Sequence, residues 1–452
     1  MDVIAELVAA LGRPRVVQGE AVPDRNRHDW SHFPPTLPRA LLLPETTEQV
    51  AEILRICHRH GQPVVPQGGM TGLAAGGHPD AGDVCLSLER MSGIEALDPA
   101  SATLTALAGT PLQTLQEAAA AAGFAVGIDL GARGSCSIGG NVATNAGGNN
   151  VLQYGMTRQN LRGLEVVLAD GTILRALHKL TKNNAGYDWT QLFIGSEGTL
   201  GVITRVVVAL HPPVPHLRTA LCAVADFDAA VRVLRALERR LPGRLLAFEA
   251  MWHDFVAFAA RSGRPCPLPD APLVLLIDAA GEDDALGAAL EPLLEDGTVL
   301  DAVLAKSDAE RKKIWAVREA PAEYPRLLPG HLGFDVSIPL DRMAEAVAVL
   351  RPMLPQRFPG AFGLFFGHVA DSNLHILVAH PDGRLDKPAV DRAVYDIVAG
   401  FGGSISAEHG IGRSKRDFLA HTRSPAEIAL MTTLKQALDP RGILNPGKVL
   451  IA

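Results

Sequence analysis

The 452-residue sequence has few cysteines, no long apolar run and no excess of positive charge, and each shortage removes a class of protein. Its five cysteines, Cys57, Cys85, Cys136, Cys222 and Cys266, are scattered and form no C-x-x-C pair. A disulfide framework or a zinc ribbon needs paired spacings, so both are excluded, and free thiols in a reducing cytoplasm are expected. The opening MDVIAELVAALGRPR carries Asp2 and Glu6 ahead of any basic residue and does not read as a secretory leader. The longest run of small apolar residues, 118–128, is too short to span a bilayer, so no transmembrane segment is expected. Lysine and arginine total 42 against 49 aspartates and glutamates, a net charge of −7. Binding to a phosphate backbone needs a basic face, so nucleic acid is excluded as a partner. With 47% apolar and 20% charged residues, the chain is not disordered. Its length implies two or three domains.

What the sequence has in quantity is glycine, 44 residues, much of it gathered in three places. The first cluster is Pro66, Gln67, Gly68, Gly69, Met70, Thr71, Gly72 and Leu73, after a short strand over 63–65. Successive backbone N–H groups with no bulky side chains can converge into an anion-binding nest. The pattern is not G-x-G-x-x-G, so the Rossmann fingerprint is absent. The second cluster spans 134–148, and the third joins 182–188 to 194–201. Three such segments point to one extended ligand touched by all of them.

Between these clusters the periodicities are ordinary. Val50, Ile53, Leu54 and Cys57 share one helical face, with Thr46 as N-cap and Gly61 as C-terminal stop. The reading gives strands at 84–88, 161–168, 172–177 and 200–210, and a helix that opens at Thr110-Pro111 and stops at Gly123. The run His211-Pro-Pro-Val-Pro215 marks a boundary. Beyond it, strands and helices alternate, including a helix over 340–350, which suggests an antiparallel sheet with helices on one side. A capped helix is expected over 424–438.

Two histidines flank a turn signal in Gly367-His368-Val-Ala-Asp-Ser-Asn-Leu-His375. A turn at 370–373 would bring the imidazoles together, and two imidazoles with a carboxylate are a common set for a catalytic divalent metal. The carboxylate candidate is Glu408, in Ser406-Ala-Glu-His409. The segment 442–448 resembles a P-loop, but its final position is Val449 and Pro446 interrupts it, so triphosphate binding is rejected.

The segments PVVPQGGMTGL, GSCSIGGNVATNAGG, NNAGYDWTQLFIGSEGTLGVIT, GHVADSNLHILV, SAEHGIGRSK and DPRGILNPGKVL, in that order, resemble the FAD-linked oxidases of the vanillyl-alcohol-oxidase type, and within them the D-2-hydroxyacid dehydrogenases. The resemblance implies an α+β fold: a two-lobed FAD-binding domain with an antiparallel-sheet cap over the substrate. The expected boundaries are 1–215 for the FAD-binding domain, 216–405 for the cap and 406–452 for a C-terminal return. FAD contacts are expected from the first cluster named above. In the second they are Gly134, Ser135, Ser137, Gly139, Gly140, Asn141, Thr144, Asn145, Gly147 and Gly148. In the third they are Glu197, Gly198, Gly201, Val202 and Ile203, with Asn445 pointing into the site. Some relatives attach FAD through a histidine in the first loop. None lies between Pro66 and Gly77 here, which implies non-covalent FAD.

By the same resemblance, His368, His375 and Glu408 would hold zinc or manganese, His409 would be the base, and Arg318 would bind the substrate carboxylate. The implied reaction oxidises a D-2-hydroxy acid, with hydride passing to flavin N5. Electrons would leave to an external acceptor such as an electron-transfer flavoprotein, a cytochrome or a quinone. A homodimer is left open, and a cytoplasmic location is expected. Three positions depart from the D-2-hydroxyglutarate pattern: Ala322 stands for threonine, Gly333 for lysine and Leu377 for asparagine. Each change removes a donor for a distal carboxylate, which favours a monocarboxylic acid of the D-lactate kind, with Arg326, His331 and Arg342 as candidate substitute donors. Rival readings are a transferase of the alkylglycerone-phosphate synthase kind and a flavin subunit of a glycolate-oxidase-like complex.

Overall fold

The computed structural model describes residues 2–31, 33–214, 216–281 and 284–451. The chain divides into two compact units. The first takes residues 1–148, 154–213 and 408–452, and the second takes 149–153 and 214–407. Pro215, the expected end of the FAD-binding domain, lies outside the described residues.

The first unit is built on two sheets. In the smaller, the strands run in the order Val16–Val17, Ala40–Leu42, Val84–Ser87, Val64–Gln67. The last three are parallel neighbours, and each is almost wholly buried. The C-terminal segment returns to this sheet, where Leu444 bridges Val64 in parallel. In the larger sheet, Val202–His211 is the central strand, paired antiparallel with Thr103–Leu107, Leu161–Val167 and Ala125–Val126. Helix Thr47–His60 forms as its spacing requires. The Thr46 side chain accepts from the Gln49 N–H, and Gly61 ends the helix with a left-handed φ of 63°. Val50, Ile53, Leu54 and Cys57 are fully buried in one cluster with both sheets.

The second unit is one seven-stranded sheet in the order Asp301–Leu304, Leu217–Val224, Leu273–Ala280, Leu245–Trp252, Phe362–Gly367, Asn373–Ala379, Leu332–Ser337. All its pairings are antiparallel. The expectation of helices on one side is corrected, because both faces are covered. Leu221, Met251, Leu276 and Phe366 pack with helices His253–Arg261 and Asp308–Arg318. On the other face, Phe227 of helix Phe227–Arg240 stacks on Trp252 at 5.8 Å, and Arg351 of helix Leu340–Arg357 lies 4.8 Å over Phe365. The signal was the run Leu273-Val-Leu-Leu-Ile277, which has no polar alternation and is buried on both faces. Helix Leu340–Arg357 also outruns its expected end at 350, continuing through Pro352 and Pro355 because Leu354 is fully buried.

Candidate functional site

The first two glycine clusters of the first unit meet, and 194–201 of the third reaches the first, whereas 182–188 is exposed and does not join them. The geometry shows why small residues are required. A Cβ at Gly69 would stand 2.1 Å from the Ser135 carbonyl oxygen, and one at Gly68 would stand 2.4 Å from Ser137 Oγ. The first loop therefore lies directly on the second. Among the described residues, the N–H groups of Gly68, Gly69, Met70 and Gly72 donate to no protein acceptor, and Met70 is left-handed with φ 59°. That is the nest geometry an anion such as a pyrophosphate needs.

Glu197 and Asn445 tie the third cluster and the C-terminal segment to the first. Glu197 is buried with φ 51°, and its carboxylate accepts from the N–H groups of Ile411 and Gly412 at 2.7 and 2.8 Å. Burial pushes this carboxyl up, against the pull of those two donors. Asn445 donates to the carbonyls of Gly76 and Glu197 at 2.9 and 2.7 Å, while its buried Oδ1 has no partner. Such an atom is costly unless a ligand or water meets it, so the residues present fit a large polar cofactor. Gly139 and Gly201 are small for another reason. Their Cβ atoms would strike Ala108 and Val166 at 2.6 Å, so both serve packing within the unit.

The second unit contributes a site made of side chains. Leu221, Leu276 and Glu249 are cross-strand neighbours, so Glu249 shares the face covered by helix Asp308–Arg318. Arg311, Trp315 and Arg318 are spaced i, i+4, i+7 on that helix and meet a row of acids below it. Trp315 Nε1 donates to Asp278 at 3.0 Å, with Arg311 3.6 Å from the same carboxylate. Arg318 Nε donates to Glu249 at 2.6 Å.

Glu249, only 1% exposed, also accepts from His368 Nδ1. Burial alone would raise its carboxyl, but His368 and Arg318 hold it well below the usual range. Burial does raise Asp278 above its ordinary value.

The turn at 369–371 does what its sequence suggests. Asp371 and Asn373 both return N–H bonds to the His368 carbonyl, Ser372 takes φ 70°, and the His368 and His375 rings stand 5.5 Å apart. Arg318 lies 4.5 Å over the Phe366 ring, whose centroid is 5.0 Å from that of His375. Behind His375 stands Asp335, its cross-strand partner, at 3.9 Å and almost fully buried. Glu249 and Asp335 were not singled out from the sequence. The available signal was one acidic residue inside the apolar strand Leu245–Trp252.

Glu408 and His409 belong to the first unit. Glu408 Oε2 accepts from the Gly148 N–H at 3.0 Å, and its Oε1 is 4.0 Å from His409 Nε2. Among the described residues, no helix is long and apolar enough to cross a membrane, and all five cysteines are free and buried. His380 closes its own turn by accepting from the Asp382 N–H.

The model of the FAD linked oxidases, C-terminal domain, matches residues 214–449, more than half of the chain, and that of an FAD binding domain matches residues 38–177. The chain belongs to the FAD-linked oxidases. It is an FAD-dependent oxidoreductase acting on a CH–OH donor, with an α+β fold of the vanillyl-alcohol-oxidase type. Among relatives of this FAD-linked oxidase, the mitochondrial D-2-hydroxyglutarate dehydrogenase of Bos taurus is 40% identical over 96% of this chain and 82% of its own length. A D-2-hydroxyglutarate dehydrogenase of Xanthomonas citri pv. viticola is 39% identical over 93% of this chain and 91% of its own. The solved structure of p-cresol methylhydroxylase with substrate bound superposes with a TM-score of 0.81, covering 99% of this chain and 96% of that one, at 18% identity. At that identity the likeness is one of fold alone.

Proposed function

We propose that this FAD-linked oxidase oxidises a D-2-hydroxy acid to the 2-oxo acid, using non-covalent FAD and a divalent cation, and passes the electrons to an external acceptor. The reading rests above all on the Glu249–Arg318–His368–His375 cluster, in a chain whose relatives are named for D-2-hydroxyglutarate. His368 and His375 would be two ligands of the cation and Glu408 the third. Glu408 follows Ala407, whose N–H donates to the carbonyl of Asp335, the cross-strand partner of His375. A pair of imidazoles and a carboxylate suits zinc or manganese.

Bound FAD would supply a hydride acceptor for Cα, and a bound cation would supply polarisation of the substrate hydroxyl. The chain's own groups do the rest. With Nε on Glu249 and Nη2 3.3 Å from His368 Nε2, Arg318 has Nη1 to offer a substrate carboxylate, its guanidinium lying 4.5 Å over the Phe366 ring. His409 takes the hydroxyl proton on an imidazole nitrogen. The unpaired N–H groups of the first glycine loop would hold the cofactor's pyrophosphate.

The names of the relatives put D-2-hydroxyglutarate first among substrates to test. A second reading, a monocarboxylic acid of the D-lactate kind, is favoured by one observation. Leu377 is 2% exposed and packs into the core on the same strand as His375, where a donor to a distal carboxylate would be needed. Arg326 and Arg342, the candidate substitutes, are paired with Glu323 and Glu345.

The test is an anaerobic flavin spectrum of the purified protein with single D- and L-2-hydroxy acids, before and after chelation. A D-acid should bleach the flavin, its L-enantiomer should not, and a chelator should abolish the effect until Zn²⁺ or Mn²⁺ is restored. A higher kcat/KM for D-2-hydroxyglutarate than for D-lactate would discard the monocarboxylic reading. Bleaching that survives chelation would discard the cation.

A further inference from the structure

We infer that Glu249 is a positioning residue that couples the cation site to the substrate carboxylate site. The inference rests on the function proposed above. Three observations carry it.

First, one buried carboxylate serves two functional side chains from different elements. Its Oε2 accepts from Arg318 Nε at 2.6 Å, and its Oε1 accepts from His368 Nδ1. Both contacts are sheltered, since the side chains of Arg318 and His368 are each 12% exposed and that of Glu249 is 1% exposed.

Second, the chemistry of the contact fixes the tautomer of His368. A carboxylate can only accept, so Nδ1 carries the hydrogen, and in the neutral imidazole Nε2 then keeps its lone pair. Arg318 Nη2, which can only donate, stands 3.3 Å from Nε2, and this agrees with that assignment. The lone pair that Arg318 Nη2 meets here is the one a cation would take in its place, and an imidazole backed by a carboxylate is a better and better-aimed ligand.

Third, the arrangement is unequal. His375 has Asp335 behind it at 3.9 Å, beyond hydrogen-bond reach, and that Oδ1 accepts instead from Asn373 at 3.0 Å. Glu249 gives His368 a hydrogen bond that Asp335 Oδ1, at 3.9 Å, does not give His375 Nδ1, and Glu249 also holds the guanidinium.

A group shared in this way couples two binding events. Loss of Glu249 should loosen the aim of His368 and free Arg318 to swing, so cation affinity and the KM of the acid should worsen together. The experiment uses FAD-loaded enzyme and Zn²⁺ as the probe, titrated against a competing chelator. It compares wild type, Glu249→Gln, Glu249→Asp and, as a control, Glu165→Gln. Glu165 is a fully buried carboxylate that holds Arg175 and Arg205 in the other unit.

The expected result is a 10- to 100-fold weaker Zn²⁺ affinity for both Glu249 variants. The KM of the D-2-hydroxy acid should rise severalfold even at saturating Zn²⁺, and the flavin content should stay at the wild-type level. Glu249→Asp keeps the charge but not the reach, so it tests position if Glu249→Gln fails to fold. The control should lose thermal stability with its Zn²⁺ affinity intact. Wild-type Zn²⁺ affinity in both Glu249 variants would overturn the inference and leave the proposed function standing. A wild type that takes up no Zn²⁺ would overturn the cation itself, and the inference with it.

Discussion

The two units build their sites from different materials. In the first, the material is backbone: glycine loops pressed together so closely that no Cβ fits between Gly69 and Ser135, with N–H groups left to face a ligand. In the second, the material is side chains drawn from four stretches of one chain, with Glu249 lying 69 residues from Arg318 and 119 from His368. A backbone site tolerates almost any sequence that stays small. A side-chain site tolerates almost any backbone that keeps register. The first kind should fail as a whole when one atom is added, and the second should fail function by function.

The harshest test of that contrast is Gly69→Ala. The added methyl meets backbone at 2.1 and 2.7 Å, and backbone cannot swing aside as the end of a flexible side chain can. Overpacking typically costs about 1–3 kcal/mol, and a clash with backbone belongs at the upper end. The variant should purify colourless and melt well below wild type, while the substrate unit's residues are untouched. Flavin absorbance per protein and a thermal melt are the readouts. Stoichiometric flavin at an unchanged Tm would show that the loops have slack and would remove the distinction between the two sites.

Glu165→Gln asks whether a buried carboxylate is functional merely because it is buried. Glu165 accepts from Thr47, Thr204 and Arg205 at 2.6, 2.9 and 2.6 Å, and from Arg175. Burial would raise its carboxyl, but these partners hold it below the usual 4.5. A group depressed on folding contributes stability that is complete above the unfolded pKa and is lost as pH falls through the folded one. The variant should therefore be roughly 2–4 kcal/mol less stable at neutral pH. The gap to wild type should narrow as pH drops below about 4.5, because only the wild type has a charge left to lose. Denaturant melts across that range test the sign, and a gap that widens on acidification would refute it.

Legibility in the sequence follows the same division. The glycine loops, the Thr46 and Gly61 caps and the turn between His368 and His375 are local, so their residue types announced them. The cover on both faces of the large sheet was missed because an apolar run such as 273–277 does not say how many faces it buries until its partners are known. Glu249 was missed because its meaning lies in register. Only the pairing of Leu221, Leu276 and Glu249 brings it under helix Asp308–Arg318, and no spacing within 245–252 carries that information. The helix over 340–350 ended too soon because proline is a strong local stop, whereas the buried Leu354 is a tertiary reason to continue.

The smallest expected effect falls on an element that uses neither device. Helix Pro425–Leu438 buries none of its residues. It is held at its start by a capping box, in which Ser424 and Glu427 exchange side-chain and backbone bonds, and further along by Lys435. The Lys435 ammonium donates to the carbonyls of Thr199 and Leu444 at 2.8 Å and pairs with buried Asp439. Ser424→Ala removes the cap alone and should cost about 1 kcal/mol. Because no core depends on that first turn, the loss should stay local. Amide exchange should quicken over the first turn of the helix and leave the amides around Lys435 protected, with flavin content and kcat unchanged. Flavin loss in this variant would mean that the helix supports the backbone site through its whole length, and the loops would then depend on side chains after all.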